Sequence, residues 1–478
     1  MQGIWTTEHI RGAEERLLAA TPEGALMQRA SFGLAVQAAD MLAQHTGRVA
    51  AGRVVLLVGA GNNGGDALWA GAFLRKRGAG VTAVLLNPER AHAEGLAALR
   101  RAGGRVASDA PRALENADLV IDGIVGLSAR GPLRDNAAEL LPYISAPVLA
   151  VDLPSGVDPD NGTVPGAAIT ATRTVTFGAR KPVHVLNPAA CGDVVLVDIG
   201  LAPELGEPDL RLLDGVDVGV AWPVPGPQDN KYSQGVVGIA AGSATYPGAA
   251  VLATGSAVLA TSGMVRYAGP AADLVRSRWP EVVATGSVTD AGRVQAWVVG
   301  PGIGTGHEGR RVLGHVLAEG VPVCADADAT TLMAHYPDVL DARDPGTPLV
   351  LTPHAGEFER LTGSAPGDDR VRAVREAARK YDAVVLLKGN TTLIAAPDGR
   401  VLANVARGSW LATAGSGDVL SGLVGALLAS GLDPWLAAGA AAYVHSLAAD
   451  LAARGVPVSA SGVQAAVPEA IRKLRSLA

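Results

Sequence analysis

The sequence is short of cysteine, of aromatic residues and of positive charge. Its 478 residues hold 2 cysteines and 4% aromatics, and Lys+Arg 40 against Asp+Glu 46 leaves a formal charge of -6. Each shortage excludes something. Cys191 and Cys324 stand far apart in apolar surroundings without a Cys-x-x-Cys pattern, which argues against a disulfide framework or a zinc site and for two buried thiols in a reducing compartment. The acidic balance lacks the counter-charge that a nucleic acid demands. Charged residues make up only 18% against 48% hydrophobic, too little charge to keep the chain unfolded. An unbroken apolar stretch is missing from residues 1–29, where Glu8, Arg11, Glu14, Glu15 and Arg16 occur, so no signal peptide is read there. A cytoplasmic protein is expected, with neither nucleic acid nor membrane as partner.

Between Lys231 and Arg266 charge is absent over more residues than a bilayer-spanning helix needs. The content is Gly, Ala, Ser and Thr with Pro247 inside, and Val236 to Ala240 reads as a buried strand entering a turn, so a soluble core is favoured over a membrane span.

What the sequence has is length, glycine and alternation. The length exceeds one ordinary domain, and Gly 60 places many backbone-defined turns. Apolar runs at 53–58, 81–86, 119–121 and 148–151 alternate with helical patterns at 67–77, 91–102 and 137–144, the rhythm of a parallel sheet with helices on both faces. A helical pattern over 22–44 precedes them, packed on the domain or at a dimer contact. Pro203, Pro208, Pro223, Pro225 and Pro227 then accumulate as periodicity fails. This places one domain at 1–210, a linker at 211–228, and a second domain at 229–478, where the alternation resumes.

The first domain carries Gly59-Ala60-Gly61-Asn62-Asn63-Gly64-Gly65-Asp66 between a strand and a helix. Unpaired N–H groups and the helix dipole favour an anion there, and the amides and carboxylate exceed what a plain turn requires. Two further strand ends, Asp122-Gly123 leading to Gly126 and Asp152-Leu153-Pro154-Ser155-Gly156, converge on the same rim. Asn63, Asp122 and Ser155 supply hard oxygens of limited charge, which suits potassium better than zinc. Each Asp alone reads equally as a cap or turn former.

The second domain carries Gly415-Ser416-Gly417-Asp418 at the start of an apolar helix, an anion hole with a base beside it. Such a site stabilises a transferring phosphoryl group while Asp418 accepts a hydroxyl proton, although an N-capping Asp after a glycine turn is the plain alternative. Lys388-Gly389-Asn390-Thr391-Thr392 adds a cation at a second turn. His354 in Thr352-Pro353-His354-Ala355-Gly356-Glu357 has an even claim to substrate or structure, while His184, His307, His335 and His445 earn no role.

In combination these motifs resemble known families. The glycine-rich loop with Asp152-Leu153-Pro154-Ser155-Gly156-Val157-Asp158 looks like the NAD(P)H-hydrate epimerase domain. Asp229-Asn230-Lys231-Tyr232-Ser233-Gln234-Gly235, Gly300-Pro301-Gly302-Ile303-Gly304, the His354 motif and Ala414 to Gly422 resemble the ribokinase-like NAD(P)H-hydrate dehydratase domain. The resemblance implies an α/β protein with an N-terminal Rossmann-like three-layer domain and a C-terminal ribokinase-like α/β domain.

It also implies a bifunctional repair enzyme. One domain epimerises the R and S forms of hydrated NADH and NADPH, and the other dehydrates the S form at the expense of ADP, giving AMP and phosphate. The resemblance assigns Asn62, Asn63, Gly64, Gly65, Asp66, Gly126, Leu127, Ser128, Ala129, Arg130, Gly131, Pro132 and Asp152 to the hydrate in the first domain. Asn63, Asp122 and Ser155 go to potassium. In the second domain Ala249, Gly304, His354 and Asp418 go to the hydrate, and Lys388, Gly389, Asn390, Thr391, Thr392 and Gly417 to the nucleotide, with magnesium shielding its phosphates. Asp152 and Asp418 are the expected catalytic groups. A homo-oligomer is expected. Two departures stand out: Ala67 where the first family has glycine, and Thr330 where the second has leucine. The competing reading is a ribokinase-like small-molecule kinase fused to a non-catalytic nucleotide-binding domain.

Overall fold

A computed structural model describes residues 1–127, 130–261, 263–406 and 408–478. Two compact units divide them: Gly3–Leu210, and Arg211–Ala478 together with Met1–Gln2.

In the N-terminal unit, seven strands among the described residues form one parallel sheet. Named by their first residue, they run in the order 105, 80, 53, 119, 148, 173, 193. The strand Arg53–Val58 is apolar at every position after the first and buried at all of them, as a strand covered on both faces must be. Val54, Leu56 and Val58 face the helices Ala25–Thr46 and Asn62–Lys76, packing with Leu34, Leu42 and Leu68. Val55 and Leu57 face the other way, toward Leu114, Leu133 and Ile169. Helices therefore cover both faces, in three layers. Strand order reverses between 53–58 and 119–123, and α/β sheets bind ligands in the crevice at the carboxyl ends of such a pair.

The expected helix over 137–144 does not form as one piece. Pro142 ends it, leaving the short helix Asp135–Ala138 and a separate turn at Leu141–Tyr143.

In the C-terminal unit the strands run 210, 401, 391, 384, 349, 323, 296, 236, 264, 283 by first residue. Pairing is parallel from 384 to 283, and Thr391–Ala395 joins antiparallel to both its neighbours. The order again reverses between 236–240 and 296–299, which places the Gly300–Gly304 loop at a second crevice. Strongly apolar helices, Pro247–Ala260, Ser416–Ala429 and Pro434–Ala453, bury nearly all round against one face. The other carries amphipathic helices such as His307–Leu317 and Arg370–Tyr381, whose Leu313, Leu317, Val374 and Ala378 point inward.

The uncharged stretch from 231 to 266 becomes the buried strand Val236–Ala240 and the helix Pro247–Ala260. Among the described residues one helix, Pro434–Ala453, is long and apolar enough to cross a membrane by composition, and 72% of its most apolar window is buried in the fold.

The expected linker at 211–228 is a correction. The chain divides at Leu210, and residues beyond it form the strand Leu210–Leu212, paired with Val401–Val405, and the helix Gly215–Ala221, capped reciprocally by Asp214 and Asp217. Trp222 is buried and donates Nε1–H to Ala260 O at 3.0 Å. The prolines mark only 223–227, because the apolar side chains before them bury in the C-terminal unit.

Candidate active sites

At the first crevice the backbone itself demands glycine. A Cβ on Gly59 would lie 1.7 Å from Ile124 O, and one on Gly64 would lie 2.4 Å from Gly59 O. Gly61 faces open space at the start of the helix Asn62–Lys76, whose first N–H groups are free for an anion. Asn62 and Gly61 are exposed, while Asn63, Gly64, Gly65 and Asp66 are buried behind them.

Of the expected potassium ligands, Asp122 and Ser155 meet directly, and Asn63 reaches the backbone of the same strand ends. Asn63 Nδ2 donates to Val125 O at 2.8 Å and Val151 O at 2.7 Å, which turns Oδ1 toward Gly126. Asp122 is fully buried and accepts from Ser155 Oγ at 2.7 Å, Ser155 N at 2.8 Å and Ile124 N at 3.2 Å. Burial pushes its carboxyl above the usual range, and the hydrogen bonds from Ser155 pull back. All these partners are neutral. A buried carboxylate surrounded by neutral oxygens and amides is a charge that a monovalent cation would answer, so the donor set fits potassium.

Asp152 sits in a left-handed backbone conformation, φ 71°, that is uncommon for a non-glycine residue. Its N–H donates to Val175 O at 2.7 Å. Its Oδ1 accepts from the Lys181 ammonium, from Thr176 Oγ1 at 3.0 Å and from Phe177 N at 3.4 Å. His184 Nδ1 accepts from Lys181 N at 3.0 Å, so Nε2 carries the proton and donates to Asp152 O at 2.9 Å. Burial first, then Lys181, depresses this imidazole to about 3. His184 was expected to earn no role, yet it grips the backbone of the expected catalytic residue.

Asp66 faces the same group. Ser31 Oγ lies 2.6 Å from Met27 O and 3.0 Å from Asp66 Oδ1. The Ser31 hydroxyl is the donor in both contacts, shared between the carbonyl and the carboxyl group. Burial above all raises the Asp66 carboxyl to about 8, against the pull of the Ser31 hydrogen bond and with Asp152 and Glu14 adding to the rise. Glu14, on the helix Thr7–Ala19, is also raised, chiefly by burial, with Lys181 opposing.

The Gly126–Pro132 segment is mixed. Leu127 O accepts from Arg11 Nη2 at 3.0 Å. Arg130 pairs with Asp160 at 2.7 Å and Asp158 at 3.6 Å, Gly131 is exposed, and Pro132 lines the same loop. Ser128 and Ala129 lie outside the described residues.

At the second site Lys388 leaves the strand Val384–Leu387 and its Nζ meets Asp326 Oδ1 at 2.6 Å. Asp326, buried, takes Ser421 Oγ on its other oxygen at 2.6 Å. Gly417 faces this pair, and a Cβ there would lie 3.2 Å from Lys388 Nζ. Gly415, φ 85°, starts the helix Ser416–Ala429, and Asp418 lies in its first turn. Burial first, then the like charges of Asp326 and Asp328, raises the Asp418 carboxyl to about 7, against the pull of Lys388. That suits a general base near neutral pH.

Gly304, φ 83°, is tied to Asp328 Oδ2 at 2.8 Å and faces open space. Ala249 lies beside Gly302 of the same loop. His354 has a structural job: its Nδ1 caps the helix Ala355–Thr362 by accepting from Gly356 N at 3.0 Å and Glu357 N at 3.3 Å. Its side chain is otherwise exposed, leaving Nε2 near the solvent with Glu357 at 3.4 Å. Gly389 and Asn390 are exposed, and Thr392 Oγ1 donates to Gly389 O at 3.2 Å. Thr391 is buried, and its O accepts from Arg370 Nη2 at 2.8 Å. His445 is buried, and burial first, then Lys388, depresses it to about 3. Among the described residues no three His, Cys, Asp or Glu gather as a metal cage. The donor set, Asp418 with Asp328 nearby, fits magnesium held mainly by nucleotide phosphates.

Sequence reasoning missed Lys181, Thr176 and Ser31 in the first site and Asp326, Ser421 and Arg370 in the second. Lys181 carried one signal, a basic pair with Arg180 in a short turn just after a strand.

Comparison with known proteins agrees with this division. Residues 23–183 match the family described as YjeF-related protein N-terminus, and residues 237–466 match NAD(P)H-hydrate dehydratase. The bifunctional NAD(P)H-hydrate repair enzyme Nnr of Mycobacterium tuberculosis is 55% identical over 90% of this chain and 90% of its own. Its counterpart in Mycobacterium leprae is 53% identical over 99% and 100%. Among solved structures, the ADP/ATP-dependent NAD(P)H-hydrate dehydratase of Bacillus subtilis, co-crystallized with ATP and Mg2+, has TM-score 0.50 and 27% identity over 55% of this chain and 99% of its own. A ribokinase-like superfamily protein of Enterococcus faecalis has TM-score 0.51 and 23% identity over 56% and 96%, a likeness of fold.

Proposed function

The chain belongs to the bifunctional NAD(P)H-hydrate repair enzymes, and from that premise we propose how its two sites divide the work. It is an enzyme of metabolite repair, with a Rossmann-like epimerase domain and a ribokinase-like dehydratase domain acting on hydrated NADH and NADPH.

In the first site the hydrate's phosphates lie on the Gly61–Gly65 turn. Asp152 takes the proton of the ring hydroxyl. The hydroxyl carbon is bonded to the ring nitrogen, so its C–N bond opens to an aldehyde as the electron pair moves to nitrogen, which takes the proton held by Asp152. Rotation and reclosure on the other face exchange R and S, as Asp152 takes the nitrogen proton back and returns it to the oxygen. Asn63, Asp122 and Ser155 would hold potassium, which would offset the buried Asp122 charge and fix the strand ends beneath the loop.

In the second site Asp418 takes the proton of the S hydroxyl while its oxygen attacks the terminal phosphoryl of ADP, releasing AMP. Hydroxide leaves poorly and phosphate leaves well. The C–O bond then breaks to free phosphate, the ring nitrogen supplies electrons, and loss of the neighbouring ring proton restores the double bond. Lys388, the Gly389–Thr392 turn and Gly417 hold the nucleotide, and Gly304, Ala249 and His354 hold the hydrate. Magnesium would neutralise phosphate charge there. A cytoplasmic setting and a homo-oligomer complete the reading. Two buried free thiols support the first, and exposed Phe32 and Val36 on the helix Ala25–Thr46 support the second.

The observation that carries the reading is Asp418, poised near neutrality at a helix N-terminus beside Lys388. The test supplies each epimer of hydrated NADPH with magnesium, potassium and ADP or ATP, and follows dihydronicotinamide absorbance and free phosphate. Both epimers should recover with ADP, the R form with a lag, and Asp418→Asn should abolish recovery while R and S still interconvert. A stable phosphorylated product in place of free phosphate would return the chain to the small-molecule kinases.

A further inference from the structure

The two oxygens of Asp152 are used unequally. Oδ1 accepts from Lys181, Thr176 and Phe177, and among the described residues Oδ2 accepts from none. Lys181 is fully buried, and its three ammonium protons have three acceptors: Asp152 Oδ1, Thr176 Oγ1 at 2.8 Å and Ala179 O at 3.3 Å. A buried ammonium with a full set of acceptors is fixed in direction. The same short segment grips Asp152 twice, because His184 takes its carbonyl while Lys181 takes its carboxylate. That double grip holds a non-glycine residue in the left-handed region. Strain of this kind persists only where the surroundings over-determine it.

We propose that Lys181 is a positioning residue for epimerisation: its ammonium pins Asp152 Oδ1, so that Oδ2 alone is presented to the hydrate hydroxyl. The proposal rests on the reading of Asp152 as the proton carrier. Asp66, Glu14 and His184 are the other titratable groups facing the pair. Lys181 touches the reaction only through Asp152, so its loss moves the turnover step rather than hydrate binding by the glycine loop.

The test uses the full chain and measures conversion of R to S hydrate without nucleotide, by separation of the epimers. Dehydration of the S hydrate by the same sample serves as the control for folding and concentration. Lys181→Met should lower kcat by about 100-fold with KM unchanged, the cost of a misplaced group. Lys181→Ala should regain part of that rate when ethylamine is added, a recovery that a purely structural lysine would not show. Should either variant fail to fold, Thr176→Val decides, since it removes one hydrogen bond from the same pair and should lower kcat alone by about tenfold. Unchanged kcat in whichever variant folds overturns the proposal, as does a loss confined to KM. If the wild-type chain itself does not interconvert the epimers, or Asp152→Asn does so at full rate, the underlying reading fails instead.

Discussion

Asp326 and Lys388 meet at 2.6 Å directly behind Gly417, and the second Asp326 oxygen takes the Ser421 hydroxyl from within the helix that carries Asp418. The nucleotide site is therefore already partly charge-balanced, and Asp326 raises its neighbour Asp418 while anchoring Lys388.

Asp326→Asn separates these two effects. Without the like charge, Asp418 ionises more readily, so the acid limb of the pH–rate profile for dehydration should move below the wild-type value of about 7. Lys388 loses its anchor at the same time, and the plateau rate should fall roughly tenfold or more. A pH profile of kcat between pH 5 and 9 reads both. An unmoved acid limb would show that burial alone sets the Asp418 proton.

Asp66 gives a pH dependence of stability with a definite sign. Its carboxyl is raised in the fold from the ordinary 3.8 to about 8, so its contribution is complete below the lower value and is progressively lost as pH rises from there through the upper one. The N-terminal unit should lose melting temperature between about pH 5 and pH 8, and Asp66→Asn should flatten that fall because the amide stays neutral. The KM of the hydrate should likewise rise above pH 8 in the wild type only, as the new charge faces the phosphates. Calorimetry and epimerisation kinetics check the pair.

Potassium should act through Asp122. Adding potassium chloride against a lithium chloride control should raise the melting temperature of the N-terminal unit and the epimerisation rate, and Asp122→Asn should abolish both responses. The same substitution removes the buried charge, so in potassium-free buffer the variant should be no less stable than the wild type. A response to potassium that survives Asp122→Asn would place the cation elsewhere.

Sequence made the strand-end motifs legible because each is local. Gly59 to Asp66 and Gly415 to Asp418 declare a turn, a helix start and an anion within a few residues. The alternation of apolar runs likewise declared parallel sheets, since strands buried on both faces lose the period of two. The partners of those motifs were not legible. Lys181 reaches Asp152 across 29 positions and Lys388 reaches Asp326 across 62, and both pairs exist only because the sheet gathers the ends of separate strands, neighbours in the first case and one strand apart in the second. The segment 211–228 misled for a related reason. Its prolines are real turn signals, but the burial of Val218 and Trp222 comes from packing against distant helices, and a helix of 7 residues is too short to announce a period.

The division of the chain at Leu210 gives each activity its own sheet and its own core. One translation event thus delivers one copy of each catalyst, whatever the promoter strength or the growth phase. The supply of usable epimer and its consumption are locked in a fixed stoichiometry, and natural selection can adjust their balance only through the rate constants of the two sites, never through separate dosage.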